Sequence, residues 1–123
     1  MGSSPSAKIF FGIKFSDEQE TDRLEEIFAE KKGIENEYWT VQKALSEAGI
    51  DFILDGDSMN GNGSTYIAVE ASMIGGNWDH PVEIDPTKLV IQAEWRTKLE
   101  EFLELMEIKV DDKPRLMLTC AYG

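Results

Sequence analysis

The segment IDFILDGDSMNGNGSTYIAVEASM, Ile50 to Met73, decides the fold, because two runs of alternating apolar residues flank a stretch made largely of turn formers. In the first run Ile50, Phe52 and Leu54 share one side. In the second, Ile67, Val69, Ala71 and Met73 oppose Tyr66, Ala68, Glu70 and Ser72. A period of two is the signature of strands, so the segment reads as a β-hairpin. Its tip spans about ten residues where two to five would close the turn, which predicts a mobile loop over Asp55–Gly63.

The opening of that tip, DGDSMNGNGSTY (Asp55 to Tyr66), resembles a calcium loop. Such a loop needs oxygen ligands at positions one, three and five, glycine at six and a bidentate glutamate at twelve. Asp55 and Asp57 fit, but Met59, Asn60 and Tyr66 occupy the other three positions, and strands rather than helices flank the stretch. Gly56, Asn60, Gly61, Asn62 and Gly63 instead tolerate positive φ, so the stretch turns the chain and no metal is expected there.

Outward from the hairpin, AKIFFGIKF (Ala7 to Phe15) alternates, with Ala7, Ile9, Phe11, Ile13 and Phe15 against Lys8, Phe10, Gly12 and Lys14. It is a strand with one buried face. Ser16 occupies an N-cap position, with Asp17, Glu18 and Glu20 in the turn that follows. The spacing predicts a helix from there to Gly33, and a second through Ile34, Tyr38, Val41, Leu45 and Ala48, closed by Gly49. After the hairpin, IGGNWDHPVEI (Ile74 to Ile84) has no period and reads as a loop. Asp85 and Pro86 open a helix expected to reach Glu107, with Ile91, Trp95, Leu99, Phe102, Leu103 and Met106 buried. RLMLTCAY, from Arg115, closes the chain as a strand. The order strand, two helices, strand, strand, helix, strand matches an α+β domain of ferredoxin-like, split βαβ kind. That is a four-stranded antiparallel sheet with helices on one face, its first crossover made of two helices.

A chain of 123 residues is long enough to form one domain without disulfides. MGSSPSA, residues 1–7, reads as a flexible leader, leaving residues 8–123 as the domain. No apolar run reaches the roughly 18 to 20 residues of a membrane span, so no membrane partner is expected. The single cysteine, Cys120, has no internal partner for a disulfide, and cytoplasmic localisation is the expectation.

The net charge of −12 is unevenly placed. From Ala44 to Thr87 there is no Lys or Arg, while Glu47, Asp51, Asp55, Asp57, Glu70, Asp79, Glu83 and Asp85 all fall in that interval. Such a surface repels phosphates, which argues against direct nucleic-acid binding. It suits a basic protein partner. The leading expectation is therefore a small acidic, non-enzymatic interaction protein, an inhibitor occupying a basic nucleic-acid-binding surface as phage or mobile-element inhibitors do. Asp55, Asp57, Asp79 and Glu83 supply the charge. Trp39 and Trp78 are the exposed-aromatic candidates, since Trp and Tyr are enriched in binding hot spots; the plainer reading of Trp39 is that it packs on the first helix.

Two alternatives differ in class. A homo-oligomer pairing through the open sheet face would bind a small ligand with Phe10, Tyr66 and His80. A small enzyme would use Asp79 and His80 as a base and its orienting group, although neighbours in an extended chain point to opposite sides. No phosphate loop, paired-cysteine motif or nucleophile elbow is present, and no cofactor is expected.

Overall fold

The long first strand organises the molecule because both of its faces and both of its edges are used. The computed structural model describes residues 5–57, 62–77 and 83–122. Strand β1 (Pro5–Ser16) is followed by α1 (Thr21–Lys32), α2 (Tyr38–Ala48), β2 (Ile50–Asp57), β3 (Asn62–Val69), β4 (Ile74–Asn77), α3 (Ala93–Met106) and β5 (Arg115–Tyr122). The protein is α+β, with an antiparallel sheet that does not close on itself. β1 pairs with β5 along one edge; on its other edge it pairs with β3 near its end and β4 near its start, and β2 pairs beyond β3.

The sheet thus has five strands, not the expected four, and the fifth comes from a break in the second hairpin run. β3 stops at Val69, a 3-10 turn occupies Glu70–Ser72, and the chain resumes along β1 as β4. Ser72 makes the break tolerable. Its buried hydroxyl donates to the Val69 carbonyl at 2.6 Å and accepts the Phe11 N–H at 2.8 Å, satisfying a backbone donor that the ladder leaves open there. The strand expected through Met73 is therefore split, and the loop expected from Ile74 begins as paired strand.

Alternation in β1 sends Phe11 and Ile13 towards the helices. They join Leu24 and Phe28 of α1, Val41 and Leu45 of α2, Ile50, Ile67 and Val69 of the hairpin, and Trp95, Leu99, Phe102 and Met106 of α3. The opposite face is filled too. Phe10 is fully buried with Ile53 and Ala68, and Tyr66, Met73 and Met117 pack around them. Ile53 belongs to one edge strand and Met117 to the other, and β2 and β5 approach each other across this face. The sheet is curled enough to cover Phe10 with its own side chains. Gly12 permits the approach of β1 to β3: a Cβ there would meet the Ile67 carbonyl oxygen at 2.3 Å.

Helix boundaries depart from expectation in three places. The second helix, expected to include Ile34, starts only at Tyr38 because the backbone is extended at Glu37. Ser16 ends β1 instead of capping a helix; its hydroxyl accepts the Glu18 N–H at 3.1 Å, while buried Thr65 donates to the Glu18 carbonyl and accepts the Glu20 N–H. Pinned in this way, the linker delays α1 until Thr21. The helix expected over Pro86–Glu107 is likewise broken. Asp85 caps only a 3-10 turn at Pro86–Leu89, extended backbone at Val90 and Gln92 follows, and α3 begins at Ala93. Ile91 still packs against the core, and the buried stripe of α3 is as anticipated. Gly33 (φ 68°) and Gly49 (φ 74°) end α1 and α2 in the left-handed conformation.

Candidate functional site

The hairpin carries the first group of candidates, and its geometry differs from the predicted loop. The β2–β3 ladder continues through Asp55↔Ser64, Gly56↔Gly63 and Asp57↔Asn62, so Asp55 and Asp57 lie in paired strand. β2 pairs only with β3 and forms an edge of the sheet. By backbone alternation positions 51, 55 and 57 share a face, at about 3.3 Å per residue along the paired strand; residues 58–61, the middle of the expected mobile loop, lie outside the described residues.

At the other end of this edge the acids gather at a corner. Gly49 ends α2, and its carbonyl accepts the Glu70 N–H at 2.9 Å, which sets Glu70 beside the start of β2. Ser46 donates its hydroxyl to the Glu70 carboxylate at 3.5 Å. Asp51 is half-buried here, and burial raises its pKa above the ordinary carboxylate value. Its bond from the Phe52 N–H at 2.9 Å and the nearby Lys8 oppose that shift, while Glu70 adds to it. Lys98 of α3 also reaches the corner, with its ammonium 3.2 Å from where a Cβ on Gly49 would stand. That places a cation at the C-terminus of α2, where the helix dipole favours one. The interval that lacks cations in sequence is thus tempered by Lys8 and Lys98 at its helix end; both come from outside it.

Trp39 does not pack on α1. It is 75% exposed, as is Tyr38 at 60%, and the two rings meet edge-on with centroids 5.1 Å apart. Tyr38 had been expected in the apolar stripe, but as the first residue of α2 it falls beyond the reach of the core. Beside the pair runs a groove lined by Ile34, Trp39, Thr40, Lys43, Ala44 and Glu47. Glu83 is exposed, ahead of the turn at Pro86. Asp79, Trp78 and His80 lie outside the described residues, so the enzyme alternative built on Asp79 and His80 has no geometry here.

The face proposed for ligand binding is occupied by the chain itself. Phe10 has no exposed surface, and Tyr66 packs edge-on against it at 5.8 Å. Elsewhere carboxylates serve structure. The Lys31 ammonium, hydrogen-bonded to Glu107 at 2.7 Å, lowers that acid's pKa; Asp112 accepts the Lys14 N–H and pairs with Arg115. Among the described residues no group of three or more His, Cys, Asp or Glu is placed to hold a metal, and no helix is long and apolar enough to cross a membrane.

The sequence reading missed Glu70 and Asp51 as partners at one corner. Their signal was Gly49, which forces the chain to turn back on itself between α2 and β2 and so brings the end of β3 alongside. No family model, curated protein or solved structure matches the chain.

Proposed function

We propose that this is a non-enzymatic interaction protein whose acidic sheet edge docks on a basic surface of a partner protein, acting as an inhibitor where that surface binds nucleic acid. One observation carries the reading: part of the interval free of Lys and Arg forms an edge strand, β2, in which positions 51, 55 and 57 fall on one face by backbone alternation. Backbone held in a paired ladder presents its side-chain positions with less ordering cost than an unpaired loop, and complementary charge acts chiefly on encounter rate. Glu83, which is exposed, is counted with this surface, Asp79 and Trp78 are carried into the proposal from the sequence alone, and Trp39 stands on α2, apart from this edge.

The same reading extends to the fold and the compartment. β3 lies between β1 and β2 and antiparallel to both, with β5 on the far side of β1, which supports a split βαβ, ferredoxin-like arrangement with β4 as an addition. The lone thiol of Cys120 supports a reducing, cytoplasmic setting.

The test is a pair of charge reversals. Asp55→Lys, Asp57→Lys and Glu83→Lys together are expected to slow association with a captured basic partner steeply at low salt, with the fold intact. Glu26→Lys, Glu100→Lys and Glu104→Lys change net charge equally on exposed helix faces and are expected to do far less. Equal losses from both sets would leave only general electrostatics and remove the site.

A further inference from the structure

We propose that the outer face of α2 is a second docking surface, shaped for a basic protein segment that lays an apolar side chain in the Trp39 groove. This rests on the reading above, that the partner is a basic protein, and adds to it an anchor and a chemistry. Tyr38 and Trp39 are the largest aromatics left in solvent among the described residues, and their edge-on contact holds one ring against the other before any partner arrives. Rigid aromatics of this kind lose little entropy when covered, which is why Trp and Tyr dominate binding hot spots. Beside them Ile34 and Ala44 give the groove an apolar lining.

The charge around the groove identifies the occupant. Glu35 and Glu37 are exposed in the segment between the lining residue Ile34 and α2, and Glu47 lines the groove. One residue before Glu47, Ser46 donates its hydroxyl to Glu70 at the corner where α2 meets β2, which adds a further acid near the C-terminal end of α2. Trp39, Lys43 and Glu47 follow one another at four-residue steps, and the helical rise puts about 12 Å between the first and the last. An extended segment of about four residues covers that distance. An apolar residue over Trp39 with Lys or Arg on either side therefore meets acids at both ends. Lys43, the one cation in α2, opposes such a segment from within the groove. Its charge gives the proposal a sign that a general hydrophobic patch lacks.

The probe is a peptide of about twelve residues alternating arginine and leucine, titrated into the isotope-labelled full chain at low ionic strength. Amide and indole shifts are expected at Trp39, Thr40, Lys43 and Ala44. Trp39→Ala is expected to weaken binding roughly tenfold or more, with no change in melting temperature because the side chain is exposed. Lys43→Glu is expected to tighten binding. Loss of binding on Asp55→Lys with Asp57→Lys, but none on Trp39→Ala, would overturn the α2 surface and leave the acidic-edge reading standing. No binding of the peptide would overturn the α2 surface as well, and the charge-reversal pair with the captured partner then decides the acidic-edge reading separately. Equal binding of a glutamate–leucine peptide, or weaker binding by Lys43→Glu, would overturn the assignment of a basic occupant. A concentration-dependent dimer that Trp39→Ala converts to monomer would show that a second copy covers the groove, and would overturn the proposal too.

Discussion

The two faces of the sheet are both buried, but by different means. On one, three helices lay Leu24, Phe28, Val41, Leu45, Trp95, Leu99, Phe102 and Met106 over Phe11, Ile13, Ile67 and Val69. On the other, among the described residues, the cluster of Phe10, Ile53 and Ala68 is packed by Tyr66, Met73 and Met117 and by no α-helical hydrophobic side chain, as the sheet curls until its edge strands approach. The first face is covered by sequence-distant elements with their own amphipathic pattern, and the second by the backbone's twist, which leaves no pattern of its own. A face without a helix is therefore not a vacant face. This weighs against oligomerisation through the sheet and directs attention to its edge and to α2.

The sharpest way to break this comparison is to make the same cavity on each face. Phe102→Ala is expected to cost about 3–5 kcal/mol, as deletions of a buried phenyl ring do. Phe10→Ala is expected to fall in the same range, read from the shift in urea midpoint at constant slope. A loss under about 1 kcal/mol at Phe10 would mean that the second face yields easily and is open in solution after all. Ser72→Ala comes next. It strands the buried Phe11 N–H at the break between β3 and β4, with an expected cost of about 1–3 kcal/mol. Ser72→Thr keeps the hydroxyl, so recovery of stability there would assign the loss to the hydrogen bond.

Alternation placed Phe11 and Ile13 on one side of β1 and Phe10 on the other, and the three-and-four spacing of Trp95, Leu99, Phe102 and Met106 marked the buried stripe of α3. These were legible because each signal is local and repeated. Four things were not. The break at Glu70–Ser72 hides inside an unbroken alternation, and only the Ser72–Phe11 contact, sixty-one residues apart in sequence, explains it. The paired Asp55–Asp57 segment resembled a loop because its composition is that of a turn, whereas β3 supplies a register that composition cannot express. In β5, Leu116 and Leu118 share a side, yet Leu116 packs on the core and Leu118 is 68% exposed. A period of two says which side a residue takes and not how far the covering helices extend. The run without Lys or Arg was readable from the sequence, but not the fact that part of it forms an edge strand. Trp39 was not, since a tryptophan next to an apolar stripe looks the same whether or not the adjacent helix covers it.

The smallest expected effect tests the margin between the two faces, where Asp51 is half-buried on the same side of β2 as Ile53. Burial, aided by Glu70, raises its pKa in the folded protein, against the opposing Phe52 N–H and Lys8. A carboxyl whose folded pKa exceeds its unfolded one binds its proton more readily when folded, so it detracts from stability at neutral pH. That penalty is relieved as pH falls through the raised pKa, and is gone below the unfolded value near 3.8. Asp51→Asn keeps an oxygen for the Phe52 N–H and removes the charge. The variant is expected to be more stable than the parent at pH 7, with the advantage shrinking as pH falls through the raised pKa and vanishing below the unfolded one, in urea midpoints measured across that range. Glu70→Gln removes the like charge nearby and is expected to reduce the advantage without abolishing it, because burial is the larger cause. A variant less stable than the parent at pH 7 would mean that attraction to Lys8 outweighs burial, and that the acidic corner is neutralised by the chain's own lysine instead of being held ready for a partner's.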